Sequence, residues 1–540
     1  RILKRVGLDP FAKYSICTFD KFAIDICRSY YHVIDMPPGL KICDQYKQEI
    51  MRSEAMEELF EERLASKDGA FEDLLIHYCS PRNNDTAKEL IGALYTFIQS
   101  MPDPDKWLDD IEKEPFSAET LIKAAAEQAS ADLCTARELL AAASGILDAK
   151  DDAGYPAMPG LLEKNAVDMD GIDRVLELLS EGRAEDAFSL LSSLSFQSMR
   201  AGKEEKAYYA AVKDDVSAVR ERAKKIVKDV NAFTEGIGKE ALEAELSMVR
   251  PYVSELCLLV RDFSARFSAK KLKAGLMDFS DAEHYALEIL SDPDVCRELK
   301  DTYEYIFVDE YQDSNYVQEA LIRRISRGNN VFMVGDIKQS IYKFRLAEPG
   351  IFLEKYKSFR TGEDPLSRVI DLNRNYRSKL PVIDFINNVF RRVMNRQTVD
   401  MDYDSNAELK EGVPYAGSFS YDPQLFLIST NSEAEDDSDE EIVSLKAEEL
   451  EAINAAAVIR KYHGKMVNIK GEDRKLKYSD MAILLRSAKN HGELFYEALQ
   501  QRGIPVFLER AEGYFDTPEI QVFLNLLRII DNPHQDVPLI

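Results

Sequence analysis

The sequence predicts an α/β protein, with parallel sheets flanked by helices and interrupted by a large, mostly α-helical insertion. Three observations predict it. Apolar runs at Tyr305–Val308, Val331–Val334 and Val369–Leu372 each end in polar residues, as strands buried on both faces of a parallel sheet do. Further strand-like runs, Gln424–Ile428, Met481–Leu485 and Val506–Leu508, alternate with helical stretches, the pattern of α/β layers. Between about residues 45 and 255 the periodicity is helical instead. There Val216, Val219, Ala223, Ile226, Val230 and Phe233 recur at spacings of 3-4-3-4-3, the seam of two packed helices.

In chain order, Tyr14–Cys17 reads as a short strand. A helix from Asp20 follows, with Phe22, Ile26 and Tyr30 on one face, and Pro37-Pro38-Gly39 breaks it. The helical stretch has turn-rich loops at Pro102-Asp103-Pro104 and from Asp151 to Gly160. On the seam helix Arg220, Arg222, Lys224, Lys225 and Lys228 read as a solvated charged face, with a DNA-facing role as the alternative. Leu256, Leu259, Val260, Phe263 and Phe267 form a second stripe leading back to the sheet-bearing part.

A chain of 540 residues, 45% hydrophobic, has the length of several domains with sizeable cores. No run approaches the roughly 18 apolar residues of a membrane span, and no signal pattern opens the chain, so the expectation is a cytoplasmic protein. The seven cysteines are scattered without a CxxC pair, which argues against a zinc site or a disulfide frame. The six histidines are equally dispersed and none is assigned to a metal. Net charge is −27, and Asn431–Glu451, with ten acids and one Lys, carries a third of it. Such runs are solvated, and nucleic-acid affinity depends on a local basic path, not on the total.

The chemistry concentrates at the ends of the apolar runs. Ligands of parallel sheets sit at the carboxyl ends of the strands, where Asp309 and Glu310 stand side by side. One carboxylate can hold Mg²⁺; the other can activate a water attacking a γ-phosphate. Taken alone, the pair also fits a solvated turn. The second run continues into Gln339 and then Tyr342, Lys343, Phe344 and Arg345. Rings beside cations suit a single-stranded nucleic acid, whose bases stack and whose phosphates pair. The third run ends in Arg374 and Arg377.

VDEYQD (308–313), VGDIKQSIYKFR (334–345) and LNRNYRS (372–378) resemble motifs II, III and IV of superfamily 1A DNA helicases, the UvrD/Rep/PcrA/RecB group, in order and spacing. Ile16–Phe22 is similar to motif Ib. Gly275–Glu283, Met401–Asp404, Asp480–Ser487 and Asp531–Leu539 resemble the A subunit of AddAB (RexAB)-type helicase–nucleases. The resemblance implies RecA-like domains: 1–44 as part of domain 1A, 45–255 as the helical insertion 1B, 256–362 as the rest of 1A, and 363–540 as the first part of 2A. It implies ATP and Mg²⁺, with Asp309 as metal ligand, Glu310 as base, Gln339 sensing the γ-phosphate and Arg377 as an arginine finger. It also implies DNA contacts by Thr18, Tyr342, Phe344 and Arg345. Tyr342 and Phe344 stack on bases or, alternatively, pack in the core; Arg345 pairs with phosphate or with a motif II carboxylate. The implied activity is 3′-to-5′ translocation on DNA in double-strand-break repair and recombination, on single- and double-stranded DNA, with an AddB/RexB-type partner supplying further cationic surface. Two other readings stand beside it: a UvrD/PcrA-type repair helicase without nuclease, and a non-catalytic scaffold of helicase fold.

The chain also departs from the family pattern. The P-loop template G-x-x-x-x-G-K-[ST] is absent. At its nearest approach, Gly238-Lys239, Phe233 replaces the first Gly and Glu240 the hydroxyl. The expectation is therefore an internal fragment, inactive by itself, with motifs I and Ia upstream of Arg1 and motifs V, VI and a nuclease domain downstream of Ile540. Asp20 stands where the family commonly has His.

Overall fold

The computed structural model describes residues 14–80, 84–113, 117–148, 150, 158–362, 365–395, 401–413, 422–428, 440–469, 472–508 and 518–531. The chain divides into two units, Arg1–Val369 and Ile370–Ile540.

In the first unit, Thr18 starts helix α1 (Phe19–Tyr30) as its N-cap, the hydroxyl oxygen accepting from the Lys21 N–H at 3.2 Å, which satisfies an orphan donor of the first turn. After α1 the chain forms β1 (Lys41–Ile42) and returns at β2 (Leu276–Met277), its parallel neighbour, with Lys41 opposite Leu276. Between them run α2 (Gln45–Ser66), α3 (Gly69–Tyr78), α4 (Asp85–Ile98), α5 (Pro104–Lys113), α6 (Ala118–Leu147), α7 (Pro159–Ser180), α8 (Ala184–Ser193), α9 (Lys206–Thr234) and α10 (Lys239–Lys273). Leu59, Phe60, Phe71, Ile91, Phe263 and Phe267 form one core, joining α2, α3 and α4 to α10. A second core, with Leu133, Leu140, Ile172, Phe188 and Val230, joins α6 to α9. Helix α10 runs unbroken through residue 255.

The face that α9 buries is Val216, Arg220, Ala223, Val227, Val230 and Thr234, rotated from the expected seam so that Phe233 is exposed. Arg222, Lys225 and Lys228 lie on the solvated side as expected, but Arg220 is only 2% exposed. Its guanidinium donates to Asp168 Oδ2 at 2.6 Å, to the Gln197 carbonyl at 3.1 Å and to Asn165 Oδ1. A charge can be buried when it is paired and hydrogen-bonded, and α7 supplies both side-chain partners from its own buried face.

Beside β2, α11 (Phe279–Ile289), α12 (Pro293–Thr302) and α13 (Tyr316–Ile325) pack on α1 through Ala23, Ile26, Ala286, Leu299, Val317 and Leu321. Strand β3 (Ile306–Val308) pairs parallel with β4 (Val331–Met333). Val308 faces Ile322 and, on α14 (Pro349–Thr361), Ile351. The other face carries Phe307 and Phe332, 72% and 48% exposed. Among the described residues this ladder is therefore covered on one face, not on both as its composition suggests.

In the second unit, β5 (Arg374–Asn375) pairs parallel with β6 (Lys410–Glu411). On α15 (Leu380–Val393), the buried Asn387 accepts from the Tyr403 hydroxyl at 2.7 Å and from the Leu409 N–H at 3.1 Å, and donates to the Leu409 carbonyl at 3.0 Å. The Met401–Asp404 block thus contributes a buried anchor, Tyr403. Helices α16 (Glu440–Tyr462) and α17 (Ala488–Gln501) meet through Ala452, Ala456, Phe495, Ala498 and Leu499. An antiparallel hairpin, β7 (Met466–Ile469) and β8 (Glu472–Lys475), and α18 (Pro518–Asp531) complete the described elements.

The protein is thus more helical, and its sheets smaller, than the apolar runs suggest. Tyr14–Cys17, Val369–Leu372, Gln424–Ile428, Met481–Leu485 and Val506–Leu508 join no ladder among the described residues. A strand is defined by the hydrogen bonds of its neighbour, which an apolar run does not supply. The acidic run lies outside the described residues up to 439, as do residues 532–540 of the final block. All seven cysteines are free thiols. Among the described residues no helix is long and apolar enough to cross a membrane.

Candidate functional site

The turn after β3 places the paired acids. Asp309 and Glu310 are both exposed, and Asp309 Oδ1 accepts the Glu310 N–H at 3.0 Å. Glu310 has φ +50°, a left-handed conformation that costs a non-glycine residue roughly 1–3 kcal/mol. The residue after it holds the turn down. Tyr311 is buried, its N–H donates to the Val334 carbonyl at 2.9 Å, and its hydroxyl donates to the Glu319 carboxylate. Burial opposes the charge on Glu319, but hydrogen bonds from Lys355, Tyr311 and Arg323 outweigh it and hold the carboxyl below its ordinary range.

Gln312 joins the ends of the two strands. Its Nε2 donates to Glu310 Oε2 at 2.7 Å, and its Oε1 accepts the Asp336 N–H at 2.9 Å. The Asp336 carboxylate in turn accepts from the Gln339 side-chain amide at 3.0 Å and pairs with the Lys338 ammonium at 2.7 Å. The structure thus links Glu310 and Gln339 through two intermediaries, with Asp309 adjacent. Asp313 flanks the turn. Burial, then the charge of Glu310, raises its carboxyl, and its Oδ1 has no hydrogen-bond partner among the described residues.

Residues Ile341–Arg345 form an exposed row beyond this loop. Phe344 is 75% exposed and Tyr342 38%, so neither ring is buried in a core among the described residues. Their centroids lie 6.1 Å apart, and the Arg345 guanidinium sits 5.2 Å from the Tyr342 ring and 5.6 Å from the Phe344 ring. Arg345 pairs with no motif II carboxylate among the described residues; the ring faces hold it instead. Phe344 and Leu346 also line a groove of about 610 Å³ whose other walls come from α2 and α4, with Arg52, Glu57, Lys88 and Thr96.

The motif Ib-like segment lies apart from this row in the sequence. Thr18 is exposed, with its oxygen engaged as the α1 cap. Burial raises the carboxyl of Asp20. Asp20 is also a like-charge neighbour of Glu283, whose carboxyl burial pushes up to about 7, against a hydrogen bond from Gln318. Close by, Asp278 and Asp281 cap α11 reciprocally and both pair at 2.7 Å with Lys271, which is 1% exposed. These acids of the Gly275–Glu283 block hold α10 to α11. Arg377 belongs to the second unit. Its side chain is exposed, and its N–H and that of Ser378 donate to Asn375 Oδ1 at 2.9 and 2.8 Å.

Sequence reasoning missed Gln312 and Lys271. For Gln312 the signal was its place inside the motif, two residues from Glu310. For Lys271 it was the i+4 spacing from Phe267 along the buried stripe.

The family model described as the UvrD/REP helicase N-terminal domain matches residues 1–360, and that described as the UvrD-like helicase C-terminal domain matches residues 370–540. The chain is 35% identical over 546 residues to a protein of Alkaliphilus oremlandii, whose name makes it the A-type subunit of an ATP-dependent helicase/nuclease; the match covers 99% of this chain and 45% of that protein. Proteins of the same name from Alkaliphilus metalliredigens (36% over 537 residues; 97% and 44% covered) and Geobacillus thermodenitrificans (34% over 561 residues; 99% and 44% covered) are similar. The chain spans less than half the length of these curated relatives.

Proposed function

The chain belongs to the UvrD-like helicase family, and on that premise we propose that it is the motor part of an ATP-driven DNA helicase subunit of the AddAB (RexAB) type. It would move 3′ to 5′ along single-stranded DNA during double-strand-break repair and recombination in the cytoplasm. The observation that carries this reading is the chain of hydrogen bonds from Glu310 through Gln312 and Asp336 to Gln339, which leads into the exposed Tyr342–Phe344–Arg345 row. Such a chain lets a change at a phosphate reach a nucleic-acid surface.

In this reading residues 1–44 and 256–362 form domain 1A, 45–255 form 1B, and 363–540 begin 2A. ATP with Mg²⁺, when bound, supplies the phosphoryl group and the charge that neutralises it. Asp309 offers an exposed carboxylate, the hard oxygen donor that Mg²⁺ takes alongside phosphate oxygens and waters. Glu310 orients and deprotonates the attacking water. Gln339 senses the γ-phosphate, and Arg377 stabilises charge on the transferring group. Tyr342 and Phe344 stack on bases, while Arg345 and Thr18 meet the DNA backbone. The relatives' names, which speak both of a nuclease and of a subunit, support a nuclease-bearing enzyme with an AddB/RexB-type partner over a repair helicase without one.

The test is DNA-stimulated ATP hydrolysis by the full protein. Glu310→Gln should lower turnover by about 10²–10⁴ while ATP binding persists, and Arg377→Ala should lower it by about 10³ or more. Near-normal rates in either variant remove that residue from the mechanism. Unwinding that starts only from a 5′ tail would overturn the polarity.

A further inference from the structure

Between the acids Asp309 and Glu310 and the amide Gln339 stands a second amide, which links them but meets neither phosphate, metal nor water in the mechanism above. Gln312 is 1% exposed, yet it is a polar side chain in a motif whose neighbouring acids face solvent. Its amide has one workable orientation. The nitrogen faces two carboxylates, Glu310 Oε2 at 2.7 Å and Asp313 Oδ2 at 3.4 Å, and the oxygen faces the Asp336 N–H at 2.9 Å. Turning the amide over would set oxygen against carboxylate and N–H against N–H. Gly335, opposite it, leaves no room for a side chain. A Cβ at Gly335 would come within 2.6 Å of Gln312 Oε1 and 3.1 Å of its backbone nitrogen.

A purely structural role is weakly supported at this place. The ends of β3 and β4 are already tied by Val334 N–H to the Val308 carbonyl at 2.8 Å and by Tyr311 N–H to the Val334 carbonyl at 2.9 Å. What Gln312 adds is a link from side chain to loop. We propose that Gln312 is a positioning residue for ATP hydrolysis: its amide holds the Glu310 carboxylate and the Asp336 N–H together, so that the base and the Gln339 loop move as one unit. This rests on the hydrolytic reading of Glu310. Gln312 itself touches no reacting atom. It restrains the rotation of the exposed carboxylate, and a movement of Gln339 reaches the carboxylate through Asp336.

The test compares three variants of the full protein, each checked for folding by thermal melting. Gln312→Glu keeps the shape and an oxygen for the Asp336 N–H but turns the donor into an acceptor facing Glu310. At pH 8 its kcat for DNA-stimulated ATP hydrolysis should fall by about 10–100-fold, the scale of a small misplacement of a reacting group, with KM for ATP unchanged. As the pH is lowered toward 6, the new carboxyl, buried beside two others, takes up a proton and can donate again. The ratio of variant to wild-type kcat should then climb. Gln312→Met has no donor at any pH, and its ratio should stay low and flat. Should Gln312→Glu not fold, Gln312→Asn, one methylene shorter, should show the same loss of kcat at constant KM.

Wild-type kcat in Gln312→Glu at pH 8, or in Gln312→Asn, overturns the proposal, as do identical pH profiles for the Glu and Met variants. Glu310→Gln run in parallel separates the two levels. If Glu310→Gln keeps normal turnover, the hydrolytic reading itself has failed. If Glu310→Gln is inactive while Gln312→Glu is normal, only the positioning role has failed.

Discussion

Replacing Phe344 with Ala separates a nucleic-acid contact from a packing contact in one experiment. A fully buried Phe truncated to Ala costs about 3–5 kcal/mol. Phe344 is 75% exposed, so scaling to the covered quarter leaves about 1 kcal/mol. Its ring also gives up an exposed contact with the Arg345 guanidinium, 5.6 Å from the centroid, worth about 0.5–1 kcal/mol at a solvated site. Against this small loss stands the stacking energy of a base on an aromatic ring, about 1–3 kcal/mol, which is about 5- to 150-fold in Kd. The assay pairs thermal melting with fluorescence anisotropy on a labelled oligo-dT strand, using the same preparation of the full protein. The expected result is a small change in melting temperature and a clear loss of affinity, with ATP turnover uncoupled from unwinding. Tyr342→Ala should behave in the same direction. A large drop in melting temperature with unchanged DNA affinity per folded molecule would refute the reasoning and remove the nucleic-acid track from this loop.

Variants at two further sites probe the buried charges. Glu283 carries a carboxyl raised from 4.5 to about 7, chiefly by burial and also by Asp20, against the Gln318 hydrogen bond; that difference corresponds to about 3 kcal/mol at most. The folded state holds the proton more tightly, so this group's contribution is fully present below about pH 4.5 and is lost as the pH rises through about 7. Glu283→Gln should flatten the fall of melting temperature between pH 5 and 8 and raise stability at pH 8; a slope equal to wild type would contradict the assignment. Arg220→Ala leaves Asp168 buried without its cation, which should cost about 3–5 kcal/mol in urea unfolding, whereas Arg220→Met with Asp168→Leu should recover much of it. Equal losses in the single and double variants would show that shape, not charge, sets the stability there.

The residue pattern by itself carried the three motif blocks, on which the family resemblance rests, and the helical character of residues 45–255. It could do so because strand-end carboxylates, ring–cation rows and 3.6-residue periodicity are local in sequence. It also placed Asp309, Glu310 and Gln339 as candidates, since each sits where a strand run stops. What it could not determine was which members of a pattern meet. The α9 seam was legible as a period, but its phase was off by enough to put Arg220 on the wrong side. The polar residues of α7, some fifty residues away, with the Gln197 carbonyl, make burial of that charge tolerable. Likewise the apolar runs at Val369–Leu372 and Met481–Leu485 could not announce whether a neighbour would pair with them. Gln312 drew no reading of its own, and only the loop after β4, which brings Gly335 and Asp336 against its amide, shows what it holds. In each case the deciding interaction is a hydrogen bond or ion pair between residues far apart in the chain. Such pairing leaves no periodic trace in either segment, so only the tertiary structure decides it.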